Sequence, residues 1–175
     1  DLNGIYQEKN ILSLVTSLEV LKKEFSLKDE KIKSALSQVK KLTGLFGRWE
    51  VIQQKPLVVL DVAHNEDGIR QLIRQIHEIK FNKLHMVFGM VKDKEIEKVL
   101  GLFPKNAHYY FTKAQNPRAL PEEELQQKAK QYQLTGDTFP EVNIALKNAL
   151  AKASEEDMVV VCGSVFVIAE VETNL

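Results

Sequence analysis

The chain has 175 residues, enough for one large domain or two small ones, and its 44% hydrophobic and 27% charged residues make a globular composition. Its 24 basic and 24 acidic side chains cancel, so no global positive field draws it to nucleic acid or to an anionic membrane surface. No apolar run approaches the roughly 20 residues of a membrane-spanning helix, so neither nucleic acid nor a membrane is expected as a partner.

The opening residues carry neither the basic start nor the apolar centre of a secretory signal. The chain begins at Asp1 rather than Met, which makes it read as a piece of a larger protein. Ile11, Leu14, Val15, Leu18, Leu21 and Phe25 recur at helical spacing, and Ile32, Leu36 and Val39 repeat the pattern after a break, so residues 5–43 are expected to form two amphipathic helices. Ser26 and Asp29 stand at capping-box spacing ahead of the second helix. Gly44 and Gly47 then interrupt the pattern, and the domain boundary is drawn there, with 1–43 as a helical segment and 44–175 as an α/β domain.

From Arg48 onward, short apolar runs alternate with helical stretches. Leu57–Leu60, Leu84–Phe88, His108–Phe111 and Met158–Cys162 are continuous apolar or aromatic runs, the pattern of strands buried on both faces. Helices are expected around Ile69–Ile76 and Ile96–Phe103. Two more follow, over Leu125–Tyr132 started by Pro121 and over Val142–Leu150 started by Thr138 and Glu141 at capping-box spacing. Such alternation implies a Rossmann-like α/β fold, a mostly parallel sheet with helices on both faces. The gap before the last run leaves room for an extra strand near Gln133–Thr135. Cys162, the chain's one cysteine, has no intramolecular disulfide partner, and a reducing cytoplasm is the expected compartment.

In an open parallel sheet, ligands sit beyond the carboxyl ends of the strands. The loop Asp61-Val62-Ala63-His64-Asn65 places a carboxylate there that could accept from a ribose or hold a cation. Asn65 is set to cap the next helix, which leaves His64 without a structural task. Equally, Asp61 and His64 could simply tie the loop together. They offer no third ligand at a spacing that suggests a metal site. Arg48, leaving a glycine-rich linker, can reach a phosphate with its bidentate fork or form a surface ion pair. Asp93-Lys94 reads as a helix N-cap with a first-turn lysine, Asn116-Pro117-Arg118 as a turn, and Ser164 after Gly163 as the cap of a terminal helix. Neither GxxxxGK[ST] nor GxGxxG is present.

Taken in series, Tyr6-Gln7 with Lys9-Asn10-Ile11, Gly44-Leu45-Phe46-Gly47-Arg48-Trp49-Glu50, Leu60-Asp61-Val62-Ala63-His64-Asn65, Phe88-Gly89 with Asp93-Lys94, Pro117-Arg118-Ala119 and Val161-Cys162-Gly163-Ser164 resemble the C-terminal part of the folylpolyglutamate synthase and dihydrofolate synthase family of Mur-type ligases. The resemblance implies an ATP-dependent ligase that phosphorylates a folate or dihydropteroate carboxylate and lets the amine of L-glutamate attack the acyl phosphate. It implies that Asn10 meets the adenine, Arg48 the phosphates, Asp61 the ribose and His64 the nucleotide. Asp93, Lys94 and Ser164 become candidates for the incoming glutamate. Residues 1–43 would end an N-terminal domain that supplies the phosphate loop, the Mg2+ ligands and most of the folate site, so this piece alone would be inactive and no metal ligand is assigned to it. Val62 and Glu66 stand where the family often has glycine and proline. A non-catalytic interaction or regulatory domain, or a metal-dependent hydrolase built on Asp61 and His64, are the competing readings.

Overall fold

The computed structural model describes residues 1–92 and 96–173. It divides into two compact units, Asp1–Glu50 and Val51–Leu175.

The first unit is helical: α1 (Gln7–Glu24), α2 (Asp29–Leu36) and α3 (Val39–Thr43). The expected capping box does not form. Lys28 is the N-cap of α2 and no side chain caps it, because Asp29 turns to Lys22, 2.6 Å away. The third helix, which periodicity merged with the second, is separate: both carboxylate oxygens of Asp1 accept from its Val39 and Lys40 N–H groups. Gly44 ends α3 in the left-handed conformation (φ 68°), with its N–H on the Lys40 carbonyl, a position that costs glycine no steric penalty.

The second unit carries a six-stranded sheet in the order β1-β2-β6-β3-β4-β5, from β1 (Glu50–Gln54), β2 (Leu57–Asp61), β3 (Leu84–Phe88), β4 (His108–Thr112), β5 (Thr135–Phe139) and β6 (Met158–Cys162). The β2/β6, β6/β3, β3/β4 and β4/β5 pairs are parallel. The helices are α4 (Glu66–His77), α5 (Ile96–Leu100), α6 (Glu122–Lys130), α7 (Val142–Lys152) and α8 (Val165–Ala169). Val58, Leu60, Val87, Tyr110, Val159 and Val161 form one core with Val142, Ala145, Leu146 and Ala149 of α7 and with Val167 and Ile168 of α8. The alternating residues Val59, Met86, Phe88, Tyr109, Phe111 and Val160 are fully buried too, as a sheet covered on both faces requires.

Several boundaries differ from the sequence expectation. Strand β1 was not anticipated, since its polar ends mask a short Val51-Ile52 core. The extra strand runs over Thr135–Phe139 rather than Gln133–Thr135, because Gln133 takes a left-handed turn (φ 62°) before the chain straightens. That places Thr138 inside β5, so the second capping box is also absent, and Glu141 is the N-cap of α7 without a side-chain bond. Helix α5 closes at Leu100, and Phe103 packs beyond it, edge-on to Phe88 at 4.6 Å.

At the amino-terminal side of the sheet lies a buried polar group that the apolar runs hide. His85 Nδ1 stands 3.0 Å from the Tyr110 hydroxyl, and its Nε2 3.6 Å from Asp157. Burial, with a smaller contribution from the Asp137 charge, pushes Tyr110 up to about 12, so the phenol keeps its proton beside Nδ1. Burial also drives His85 below the usual imidazole range, against the pull of Asp157. Burial alone would raise Asp157, but the N–H groups of Ser154 and Lys83 hold its carboxyl below the ordinary value.

Candidate functional site

The carboxyl ends of β2, β6, β3 and β4 are joined by their backbones. The Gly163 N–H donates to the Ala63 carbonyl at 3.0 Å, and the Gly89 N–H to the Cys162 carbonyl at 3.3 Å. Beyond β3 and β4 the two loops pair in turn: Lys92 N–H donates to the Arg118 carbonyl and Leu120 N–H to the Met90 carbonyl, around an antiparallel bridge between Val91 and Ala119. Beside this pairing, a groove of about 490 Å³ is lined by Lys92, Ile96, Lys98, Leu120, Glu124 and Lys128.

The loop after β2 is built by its own side chains. Asp61 is only 2% exposed, and its Oδ1 accepts from the Ala63 N–H at 2.9 Å. His64 Nδ1 lies 2.9 Å from the Val62 carbonyl, which places a hydrogen on Nδ1 and leaves Nε2 as the acceptor of the neutral ring. His64 therefore does have a structural task, contrary to the sequence expectation, and the loop-tying role of both residues is real. Asn65 caps α4 as expected, accepting from Gly68 N–H at 2.8 Å. Asp61 and Cys162 are register partners on adjacent strands; burial first, and the Asp61 charge second, push the Cys162 thiol far up, so this buried cysteine is not a nucleophile.

Ser164 accepts from the Phe166 N–H and so caps the five-residue α8, as its capping expectation had it. Asn116-Pro117-Arg118 forms the expected turn, closed by Ala119 N–H on the Asn116 carbonyl. A half-buried ion pair that the sequence did not single out, Lys113 to Glu122 at 3.0 Å, stands just past β4.

In the first unit, Asn10 donates from its amide to Gln7 Oε1 at 2.8 Å. Arg48 is half-buried, and its guanidinium forms no ion pair among the described residues, so the surface pair offered as its alternative is not present there. Asp93 and Lys94 lie outside the described residues. Among the described residues, no three His, Cys, Asp or Glu side chains gather as a metal's donor set, and no helix is long and apolar enough to cross a membrane.

A family model of the Mur ligase, glutamate ligase domain, matches residues 47–165, a span that holds the whole sheet and every strand-end loop just described. The chain belongs to this family. It is 29% identical over 161 residues to the dihydrofolate synthase/folylpolyglutamate synthase of Buchnera aphidicola, covering 90% of this chain and 38% of that protein. A crystal structure of the bifunctional folylpolyglutamate synthase/dihydrofolate synthase of Yersinia pestis, complexed with AMPPNP and Mn, superposes with a TM-score of 0.69 at 30% identity, covering 88% of this chain and 36% of that one. A further structure of such a bifunctional enzyme, with Mn, AMPPNP and L-glutamate bound, gives 0.65 at 30% identity, over 71% of this chain and 30% of that one. The chain spans between 15% and 40% of the length of the first curated folate-ligase relatives that it matches.

Proposed function

We propose that this chain is the C-terminal part of a cytoplasmic, ATP- and Mg2+-dependent ligase that joins L-glutamate to a folate, or to dihydropteroate, and that its partners are those substrates and its own N-terminal domain. Residues 1–43 are the tail of that domain, and 44–175 carry the acceptor side. The observation that carries this reading is the likeness, at 30% identity, to enzymes of that activity crystallised with an ATP analogue, Mn and L-glutamate.

In the proposed reaction the terminal phosphoryl group of ATP passes to the substrate carboxylate and ADP departs. The glutamate amine then attacks the acyl carbon, the amide bond forms as the carbon–oxygen bond to phosphate breaks, and the amine's surplus proton leaves with solvent. The roles of this chain's residues are to bind and orient. Asn10 meets the adenine and Arg48 the phosphates, where an unpaired guanidinium is an effective anion partner. Asp61 accepts from the ribose, and His64 lies beside the nucleotide with Nε2 as an acceptor. Asp93, Lys94 and Ser164 are assigned to the incoming glutamate. The described residues do not assemble a metal's donor set, and the Mg2+ ligands are assigned to the N-terminal domain.

The test is the full-length enzyme bearing Arg48→Ala, assayed with tetrahydrofolate, labelled glutamate and Mg-ATP. We expect the KM for ATP to rise about tenfold or more, as loss of a charge-assisted contact of about 1.5–3 kcal/mol requires, with the melting temperature unchanged. Unchanged ATP dependence would remove Arg48 from the nucleotide site. The absence of any glutamate incorporation by the unsubstituted enzyme would sink the ligase reading.

A further inference from the structure

Glycines 89 and 163 sit at the ends of adjacent strands, β3 and β6, and both are buried. A Cβ built on Gly163 would stand 2.3 Å from the Gly89 carbonyl oxygen and 2.7 Å from the Phe88 ring, and its φ of +109° is one that residues with a side chain rarely adopt. A Cβ on Gly89 would stand 2.6 Å from the Thr112 carbonyl oxygen and 2.9 Å from Val167. At these two positions the neighbouring backbones approach too closely to leave room for a side chain.

The same Gly163 that needs this space gives its N–H to the Ala63 carbonyl, one residue before His64. The loop after β2 is thus held from outside its own turn by the Gly163 N–H on the Ala63 carbonyl, by the Gly68 N–H on the Asn65 side chain and by the Ile69 N–H on the Asn65 carbonyl. The Gly163 bond comes from the end of the neighbouring strand β6. Gly68 belongs to the helix that the loop itself enters, whereas Gly163 belongs to the loop that leads to Ser164.

We infer that Gly163 is a positioning residue, which sets the Asp61–Asn65 loop by holding the Ala63 carbonyl and couples that loop mechanically to the loops after β3 and β6. The inference rests on the proposed function only for its meaning, namely that the nucleotide-side loop and the acceptor-side loops move as one body. A side chain at 163 has to push away from the Gly89 carbonyl, and the N–H that holds Ala63 moves with it. The disturbance then appears at Asp61 and His64 although neither is touched.

The experiment uses the 175-residue chain without nucleotide, so that its outcome is independent of the ligase reading. Heteronuclear NMR compares the unsubstituted chain, Gly163→Ala, and Val167→Ala as a control that loosens packing beside Gly89 without disturbing the Ala63 bond. In the unsubstituted chain, a scalar coupling across the hydrogen bond from Gly163 N to the Ala63 carbonyl carbon is expected. In Gly163→Ala, the Asp61–Asn65 amides and the His64 ring nitrogens, which report how Nδ1 meets the Val62 carbonyl, should shift several-fold more than in Val167→Ala. Equal shifts in the two variants, or a lowered melting temperature in Gly163→Ala with the loop signals unmoved, would overturn the inference. If Gly163→Ala does not fold, the unsubstituted chain decides: a detected coupling supports the inference, and its absence overturns it.

Discussion

Residues 1–50 and 51–175 carry the same kind of helical periodicity and treat it differently. Helix α4 buries Ile69, Leu72 and Ile76 almost completely. Helix α1 repeats Ile11, Leu14, Val15, Leu18 and Leu21 at helical spacing but scatters Leu12 and Val20 off that stripe, Gln7 is its one buried residue, and Ile11, Val15 and Leu21 are each at least 40% exposed. Periodicity therefore specifies that a helix has an apolar face; what covers the face depends on other parts of the fold. In the second unit the cover is a sheet that is itself apolar on both sides.

The largest expected effect measures this contrast directly. Leu72→Ala removes a fully buried side chain and should cost about 2–5 kcal/mol, whereas Ile11→Ala, on the α1 stripe at a position 51% exposed, should stay within about 0.5 kcal/mol. Urea denaturation of the two variants gives both values. Similar losses would mean that α1 has a cover in solution.

The next effect sharpens the comparison between packing and polar satisfaction. Asp61→Ala leaves the buried Ala63 N–H without its acceptor, and should destabilise the second unit by about 1–3 kcal/mol. Loss of ligase activity in the full-length variant would therefore combine a ligand effect with a structural one, and Asp61→Asn, which keeps a side-chain acceptor, separates them. A urea midpoint identical to that of the unsubstituted chain would show that the Ala63 bond contributes nothing.

A third prediction concerns pH. Since burial lowers the His85 imidazole below its free value of about 6.5, the unfolded chain binds more protons there than the folded one. Stability is complete above that value and declines as the pH falls below it. The Asp157 carboxyl, also lowered, adds a separate loss only in the carboxylate range. Denaturation midpoints measured from pH 8 to 5 should fall below about 6.5, and His85→Gln should flatten that part of the curve. A flat profile in the unsubstituted chain would show that His85 remains free to titrate in the folded state. The smallest effect is expected for Asn65→Ala, which removes one N-cap and should cost about 0.5–2 kcal/mol, read as a small shift of the same midpoint.

The elements legible in the sequence are those fixed by local rules. Four apolar runs became β2, β3, β4 and β6, because a strand buried on both faces must be apolar at every position. Asn65 was readable as a cap because an N-cap bond spans only three residues. The two capping boxes failed at the same level of reading: Asp29 found Lys22 on another helix, and Thr138 was taken into β5. Strand β1 was not legible, since half-polar Glu50–Gln54 becomes a strand only by adding to an edge that already exists.

The candidate site divides in the same way. The residue types at the strand ends, Asp61, His64, Asn65 and Ser164, followed from the sequence, because a strand's carboxyl end and a helix's first turn are positions in the chain. The burial of Asp61, its bond to Ala63, and the grip of Gly163 on a loop about 100 residues earlier in the chain did not. They depend on which strands become neighbours, and the insertion of β6 between β2 and β3 is decided only when the whole sheet is assembled.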